Sequence, residues 1–324
     1  MSGTSSAPLF LPLDDVVYAR PEAVSPLIRR VIAANPSKFT YRGTGTYIVG
    51  HGDVVVIDPG PRLDSHRDAL AAALAGGRVA AILVTHCHAD HSPLATWLHD
   101  ETGAPTYARG PHPPPDPEWE ALGHEPPEPD ASTRNTDVPV EVEESTDFAF
   151  TPTHAVADGE VVAVGGLTLT AIHTPGHTSN HVCWALAEER ALFTGDHIMG
   201  WSTTVVSPPD GDMTAYIESL RKVAARDDLV LWPTHGPPRH DPSVYVPALV
   251  EHRLQREAAV LAAVRSGRTS IRDIVELLYV DTRRELHAAA RRSVWGHMIK
   301  LVAEGAVATD DGARPGIRST YLPT

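Results

Sequence analysis

Apolar residues fall in short dense runs over the first two thirds of the chain and at helical spacing over the last third. Residues 46–58 (TYIVGHGDVVVID) predict two strands joined at Gly50-His51-Gly52, a tight-turn signal. Asp64 or Ser65 is then expected to cap an Ala/Leu helix that stops at Gly76-Gly77. The continuous apolar run 79–85 (VAAILVT) predicts a strand buried on both faces, followed by a helix from about Pro93 to Asp100. Runs 161–172 and 182–193 predict two strand pairs, turning at Gly165-Gly166 and at Glu188-Glu189-Arg190. Asp212 caps a helix that buries Met213, Tyr216, Ile217, Leu220 and Val223, and residues 229–232 form one more short strand.

Two departures from this pattern mark the organisation. Prolines 111, 113, 114, 115, 117, 126, 127 and 129 crowd one segment, a density that predicts an extended insertion without helix or inner strand, about 109–157 in all. After Pro242 the pattern becomes helical. One helix is expected over about 244–265, a second after Thr269 or Ser270 with Ile271, Ile274, Val275 and Leu278, and a third with Leu286, Ala290, Val294, Met298 and Leu301 on one stripe. Two short β segments around Asp311-Gly312 complete the outline of a winged helix. The expected domains are therefore 1–242 and 243–324.

Composition narrows the class. The chain has 324 residues, 42% hydrophobic and 21% charged, as in a folded water-soluble protein. Two cysteines, Cys87 and Cys183, exclude a disulfide framework and suit a reducing compartment. The first residues lack a basic segment followed by an apolar run, and no stretch is long enough to span a bilayer, so a cytoplasmic protein without membrane partners is expected. The net charge of −14 is uneven: residues 1–245 carry −17 and residues 246–324 carry +3. A polyanion would be repelled by the larger part.

The chemistry concentrates in THCHADH, residues 85–91. Residues two apart on extended backbone share a side, so His86 and His88 can meet one metal ion while Cys87 faces away as a small buried filler. Asp90 and His91 can turn toward a second ion, and imidazole with carboxylate suits zinc. TPGHTSNH (174–181), FTGDH (193–197) and WPTHG (232–236) each follow a strand with a tight turn and one ligand-type residue: His177, Asp196 and His235. His181 is expected either to contact substrate or to cap a strand, and His197 to pack away from the site. Tyr41 and Arg42 precede a glycine-rich turn and are expected on a solvated loop; His154 closes the insertion.

These motifs, with VVVIDPG at 54–60, resemble the metallo-β-lactamase superfamily in order and spacing over roughly residues 40–238. The resemblance implies an α/β fold, an αββα sandwich with a two-metal site on one edge and, here, a C-terminal winged-helix domain. It implies two zinc ions per chain, with manganese or iron as alternatives. His86, His88 and His177 would hold the first, Asp90, His91 and His235 the second, with Asp196 bridging and Asp58 bracing the site from behind. Thr234 stands where the family usually places a glycine. GTGTYIVG (43–50), STTVV (202–206) and the terminal helices are similar to the beta-lactamase-like protein 2 group, which includes enzymes that cut single-stranded RNA. His88, rather than glutamate, and the bridging Asp196 separate the chain from the di-iron electron-transfer branch and from the antibiotic-hydrolysing lactamases.

The function this implies is hydrolysis by a zinc-bound hydroxide of a small ester, thioester or lactone, with Asp90 shuttling a proton and His181 as a further catalytic candidate. The partner would be a small molecule, and a homodimer is an open expectation. Two alternatives stand beside it: a single-stranded RNA endonuclease, with RNA as partner, and a winged-helix binding protein on a metal-stabilised scaffold. In the latter, Arg283, Arg284, Arg291, Arg292 and Lys300 would face the nucleic acid.

Overall fold

A computed structural model of the chain describes residues 8–125, 145–282 and 284–324. Prolines 126, 127 and 129 and Arg283 lie outside the described residues. The first sheet follows the order β1 (Pro21–Ala23), β2 (Ile28–Ile32), β3 (Gly45–Val49), β4 (Asp53–Ile57), β5 (Arg78–Leu83), β6 (Thr106–Ala108) and β7 (His154–Ala155). Its first four strands are antiparallel and β4 to β7 run parallel. Helices α1 (Asp64–Leu74) and α2 (Pro93–Thr102) make the crossovers around β5, and α3 (Pro117–Leu122) lies between β6 and β7. The second sheet comprises β8 (Val161–Val164), β9 (Leu167–His173), β10 (Val182–Leu186), β11 (Ala191–Gly195) and β12 (Val230–Pro233), with α4 (Met213–Ala224) before β12. Its strands are antiparallel except for the parallel pair β11 and β12.

Alternation along each strand sorts the apolar runs into layers. Tyr47, Val49, Val55, Ile57 and Leu83 face Leu169, Val182, Trp184, Leu186 and Phe193 between the sheets. Their neighbours Ile48, Val54, Val56 and Ile82 pack outward against Leu70, Leu94 and Leu98 of α1 and α2. Cys183, Ala185 and Leu192 pack outward against Tyr216, Ile217 and Leu220 of α4. Both sheets are thus covered on both faces, giving the αββα sandwich, and each fully buried Val, Leu or Ile stabilises it by about 1.5–3 kcal/mol relative to exposure.

Helix α5 (Pro242–Arg265) serves two cores. Tyr245, Val246 and Leu249 cover α4, while Val260, Ala263 and Val264 join α6 (Ile271–Leu278), a 3₁₀ turn Arg284–Leu286, α7 (His287–Ala303) and the hairpin β13 (Val307–Thr309) and β14 (Tyr321–Pro323). This is the winged helix. Residue 242, where the pattern changes, is the first residue of that shared helix. Among the described residues no helix is long and apolar enough to cross a membrane.

Two expectations are corrected. The proline-rich segment contains α3, because Pro117 takes the first turn, Asp116 accepts from the Glu118 and Trp119 backbone N–H groups, and no proline recurs before 126. Trp119 and Leu122 then pack on the winged-helix core. At α1 the cap position is Leu63, without a side-chain bond, and Asp64 lies in the first turn, where its charge favours the helix N-terminus.

One residue couples packing to the ligand loops. Gly176 sits at φ +135°, and a Cβ there would come within 2.3 Å of Tyr216 Cα and 2.4 Å of Tyr216 N on α4. Backbone cannot swing aside as the tip of a side chain can. Gly176→Ala should therefore destabilise the protein by about 3 kcal/mol or more; an unchanged urea midpoint would contradict this account of the turn.

Candidate metal centre

Parallel relationships between strands bring the motif residues to one rim. Asp58 follows β4, His86 to His91 follow β5, His177 follows β9, Asp196 follows β11 and His235 follows β12. Each is at or just beyond the C-terminal end of its strand, and the two sheets present these ends together.

The donor atoms converge in two groups. His86 Nε2 lies 3.0 Å from His88 Nδ1, and His177 Nε2 lies 3.2 Å from that same nitrogen. Hydrogen bonds behind the rings set the tautomers. The Thr85 hydroxyl donates to Asp58 Oδ2 at 2.8 Å and so accepts from His86 Nδ1–H at 3.0 Å. His177 Nδ1–H donates to the Val205 carbonyl at 2.7 Å. Both Nε2 atoms therefore carry lone pairs, aimed at one nitrogen that can hold at most one proton. Tetrahedral ligands about 2.0–2.1 Å from a zinc ion would stand about 3.3 Å apart. The three imidazoles fit that demand and cannot satisfy one another.

In the second group, His235 Nε2 is 3.3 Å from both Asp90 Oδ2 and Asp196 Oδ2. His91 Nε2 is 3.4 Å from Asp90 Oδ2 and 3.6 Å from Asp196 Oδ1. His91 Nδ1–H donates to Asp58 Oδ2 at 2.9 Å and His235 Nδ1–H to the Gly43 carbonyl at 3.2 Å. His91 Nε2 and Asp196 Oδ1 are buried without a hydrogen bond, as atoms meant for a cation would be. Asp196 Oδ2 also comes within 3.9 Å of His177 Nε2, so one carboxylate reaches both groups. Three triads, His86/His88/His177, His86/His91/Asp196 and Asp90/His91/His235, hold their donor atoms within 4.8 Å of one another.

Electrostatically the two groups differ. Burial, reinforced by neighbouring imidazoles, drives His86 well below its ordinary value and His88 down to about 3, and burial also lowers His177. This trio stays neutral. Burial opposes charge on His235 and His91 as well, but Asp196 and Asp90 override it, lifting His235 to about 10 and His91 well above its usual range. Burial works against ionised Asp196 and Asp90 too, yet the His91 and His235 charges hold both carboxyls below the ordinary carboxylate range. Without a metal, the second group is a network of ion pairs.

Asp58 is placed as the brace. Besides its bonds to Thr85 Oγ1 and His91, it accepts from Thr85 N at 2.7 Å and Thr234 Oγ1 at 3.2 Å, from a left-handed backbone at φ +48°. The threonine that replaces the usual glycine thus adds a donor. His181 is not at the site mouth. It is fully buried, its Nε2 accepting from the Asp196 backbone N–H at 3.3 Å and its Nδ1 meeting Thr174 Oγ1 at 2.9 Å, so no ring nitrogen remains for substrate. His181 thus supports Asp196 rather than touching substrate. Cys87 is buried and accepts from Asn180 Nδ2 at 3.1 Å, and burial pushes its thiol up to about 11. His197 is buried against Tyr216, and His154 of β7 stacks on Tyr107 of β6. Tyr41 stacks on Trp201 at 4.6 Å, with Arg42 over its ring.

Sequence reasoning missed Thr44, whose hydroxyl donates to Asp90 Oδ2 at 2.8 Å, and the Gly43 and Val205 carbonyls. Thr44 lies within the quoted GTGTYIVG motif, whereas a carbonyl leaves no mark in a sequence.

The metallo-beta-lactamase superfamily profile matches residues 41–235, the span that carries every one of these donors. The chain belongs to that superfamily. Its hydrolase fold and donor set imply a divalent metal. The beta-lactamase associated winged helix domain matches residues 270–314 of this superfamily member. A Beta-lactamase-like protein 2 homolog from Caenorhabditis elegans is 30% identical over 88% of this chain and 88% of its own. An Atrochrysone carboxyl ACP thioesterase from Aspergillus chevalieri is 32% identical over 79% of this chain and 70% of its own. Among solved structures, a beta-lactamase domain protein from Burkholderia ambifaria superposes with TM-score 0.74 at 20% identity, covering 97% of both chains. A metallo-beta-lactamase family protein from Thermus thermophilus gives 0.70 at 23%, covering 93% of this chain and all of the other.

Because Asp58 holds both His91 and Thr85, Asp58→Ala should weaken metal binding about 10–100-fold, measured by competition with a chelator. Parent affinity in that variant would show that the brace is dispensable.

Proposed function

We propose that the chain is a dinuclear zinc hydrolase of thioesters, with simple esters and lactones as related substrates. The observation that carries the substrate class is the cleft that opens from His88 and His177. It has a volume of about 390 Å³. Pro113 to Pro115, Trp119 and Phe148 give it apolar walls, while Asp116, Glu120 and Asp210 outnumber Arg292 along it. An uncharged acyl group suits such walls, and a phosphodiester chain would meet three carboxylates. Relatives named as acyl-carrier thioesterases support the same class.

His86, His88 and His177 would hold one ion, Asp90, His91 and His235 the other, and Asp196 would be shared. When bound, the ions would supply Lewis-acid activation of water and of the scissile carbonyl. Asp90, kept ionised by His91 and His235 and oriented by Thr44, is the residue we assign to carry a proton to the leaving group. A thiolate leaving group asks less of that proton than an alkoxide does, so Asp90→Asn should slow esters more than thioesters.

The winged helix supports this reading rather than a DNA reader. Of the 17 residues of α7, Ala288 and Ala303 are the exposed ones, and its cations Arg291, Arg292 and Lys300 are partly covered by protein. Arg291 pairs with Glu125, Lys300 with Glu257 and Glu304, and Arg292 donates to the Pro208 carbonyl. Arg284 is exposed.

Acyl-N-acetylcysteamine thioesters, a lactone and a single-stranded RNA, offered to the zinc-loaded protein with Asp196→Ala as blank, test the proposal. Thioester turnover should dominate and hardly change between about 50 and 200 mM salt, whereas RNA cleavage that collapses over that range would favour the nuclease. Loading should depend on pH. The first trio is neutral at mild acidity, but His235, at about 10, must lose its proton before it can bind. The second ion should therefore leave before the first as pH falls, read by elemental analysis of dialysed protein across about pH 5 to 9; loss of both together would contradict that order.

A further inference from the structure

His177 depends on a carbonyl in a stretch with no regular structure. Residues 203–207 belong to no helix or strand, yet the Val205 carbonyl accepts the His177 Nδ1 proton at 2.7 Å and so decides which ring nitrogen faces the cluster. A loop outside a ladder needs other donors to hold its peptide planes. The C-terminal helices provide them. Arg253 of α5, 4% exposed, donates through Nη2 to the Thr204 carbonyl, one peptide before Val205. Arg292 of α7 donates through Nη1 to the Pro208 carbonyl at 3.3 Å. Between these points Val206 is buried in the α4 and α5 layer, and Gly296 of α7 lies close enough that an added Cβ would stand 3.6 Å from the Val206 carbonyl. The Thr204 hydroxyl donates to the Asp196 and His197 carbonyls at 2.8 and 3.0 Å, tying the same loop to the shared carboxylate.

We propose that Arg253 and Arg292 are positioning residues for the metal centre: the C-terminal unit clamps residues 203–209 so that the Val205 carbonyl fixes the His177 tautomer and ring direction. The clamp acts at the first trio through Val205 and, through the Thr204 hydroxyl, on the backbone of the shared Asp196. It rests on His177 being a metal ligand, as proposed above.

The test is metal affinity of the full chain, measured by chelator competition, together with the visible absorption of the cobalt-substituted protein, which reports ligand geometry. Arg253→Met keeps the packing of the stem and removes the donor. It should fold and bind the first cobalt or zinc ion about 10–100-fold more weakly, with an altered cobalt spectrum. Arg253→Lys retains one cationic donor and should recover part of the loss. Arg256→Ala, one turn along α5 where the parent guanidinium donates to the Leu278 carbonyl and covers Tyr279, should leave both readouts at the parent level. A folded Arg253→Met protein with parent affinity and spectrum overturns the clamp. Should that variant not fold, Arg292→Met carries the same test at the other end of the loop, and parent affinity and spectrum there overturn the clamp equally. His177→Ala separates the two readings. Parent affinity in His177→Ala removes the ligand assignment, while loss there beside parent affinity in Arg253→Met removes the clamp alone.

Discussion

A buried imidazole nitrogen bears either a proton or a lone pair, and a stable buried cluster has to alternate the two. The first trio cannot. Asp58, through Thr85, sends the His86 proton to Nδ1, and Val205 does the same for His177, so two lone pairs face a single nitrogen, His88 Nδ1. The second group avoids the conflict by taking up protons as His91 and His235 imidazolium beside Asp90 and Asp196. The neutral trio is thus the part of the centre whose geometry makes sense only around a cation. The rest of the structure keeps that conflict in place.

It does so by pooling strand ends. β4 and β5 run parallel in one sheet, β11 and β12 in the other, and β9 shares the direction of β11 because both pair antiparallel with β10. A ligand at the end of each arrives at one rim without long loops. Short turns transmit the rigidity of the sheets to the donors, which is why Gly176 has no room for a side chain against α4. Where a supporting loop lacks a ladder, as at 203–209, the buried Arg253 and the half-buried Arg292 donate to its carbonyls instead.

Most of this was legible because alternation and turn chemistry are local. The hairpins at Gly50-His51-Gly52 and Gly165-Gly166, the doubly buried run before His86 and the Asp212 cap all follow from nearest-neighbour rules. The seven ligand-type residues were visible because imidazoles and carboxylates after apolar strands are costly unless used. What escaped was set by distant partners. β2 carries two arginines in five residues, so no apolar run announced it, and β1, β6 and β7 are three residues or fewer. α3 forms among prolines because Trp119 and Leu122 find the winged helix. His181 in its motif suggests a contact to substrate, and only the Asp196 backbone N–H, 15 residues away, gives it a supporting role.

The uneven charge acquires a physical reading in the same way. The hydrolase part carries −17 and the tail +3, a separation that taken alone suggests a basic reader appended to an acidic enzyme. Several of the tail's cations are instead engaged with protein: Arg291 meets Glu125 of the insertion, Arg314 covers Trp119, Arg253 and Arg292 hold the loop beside His177, and Lys300 pairs with Glu257, while Arg265, Arg268, Arg272, Arg284 and Arg318 are exposed. Partly buried pairs of this kind are screened less by salt than exposed ones. Two pairs, Arg291 with Glu125 and Arg314 with Glu118, join the basic tail to the acidic part. A phosphate chain approaching the cleft would have to compete for arginines already engaged while facing Asp116, Glu120 and Asp210. The winged helix thus contributes Arg292 to the cleft lining and, by packing Trp119 and Leu122 of α3, steadies the segment that lines its other side.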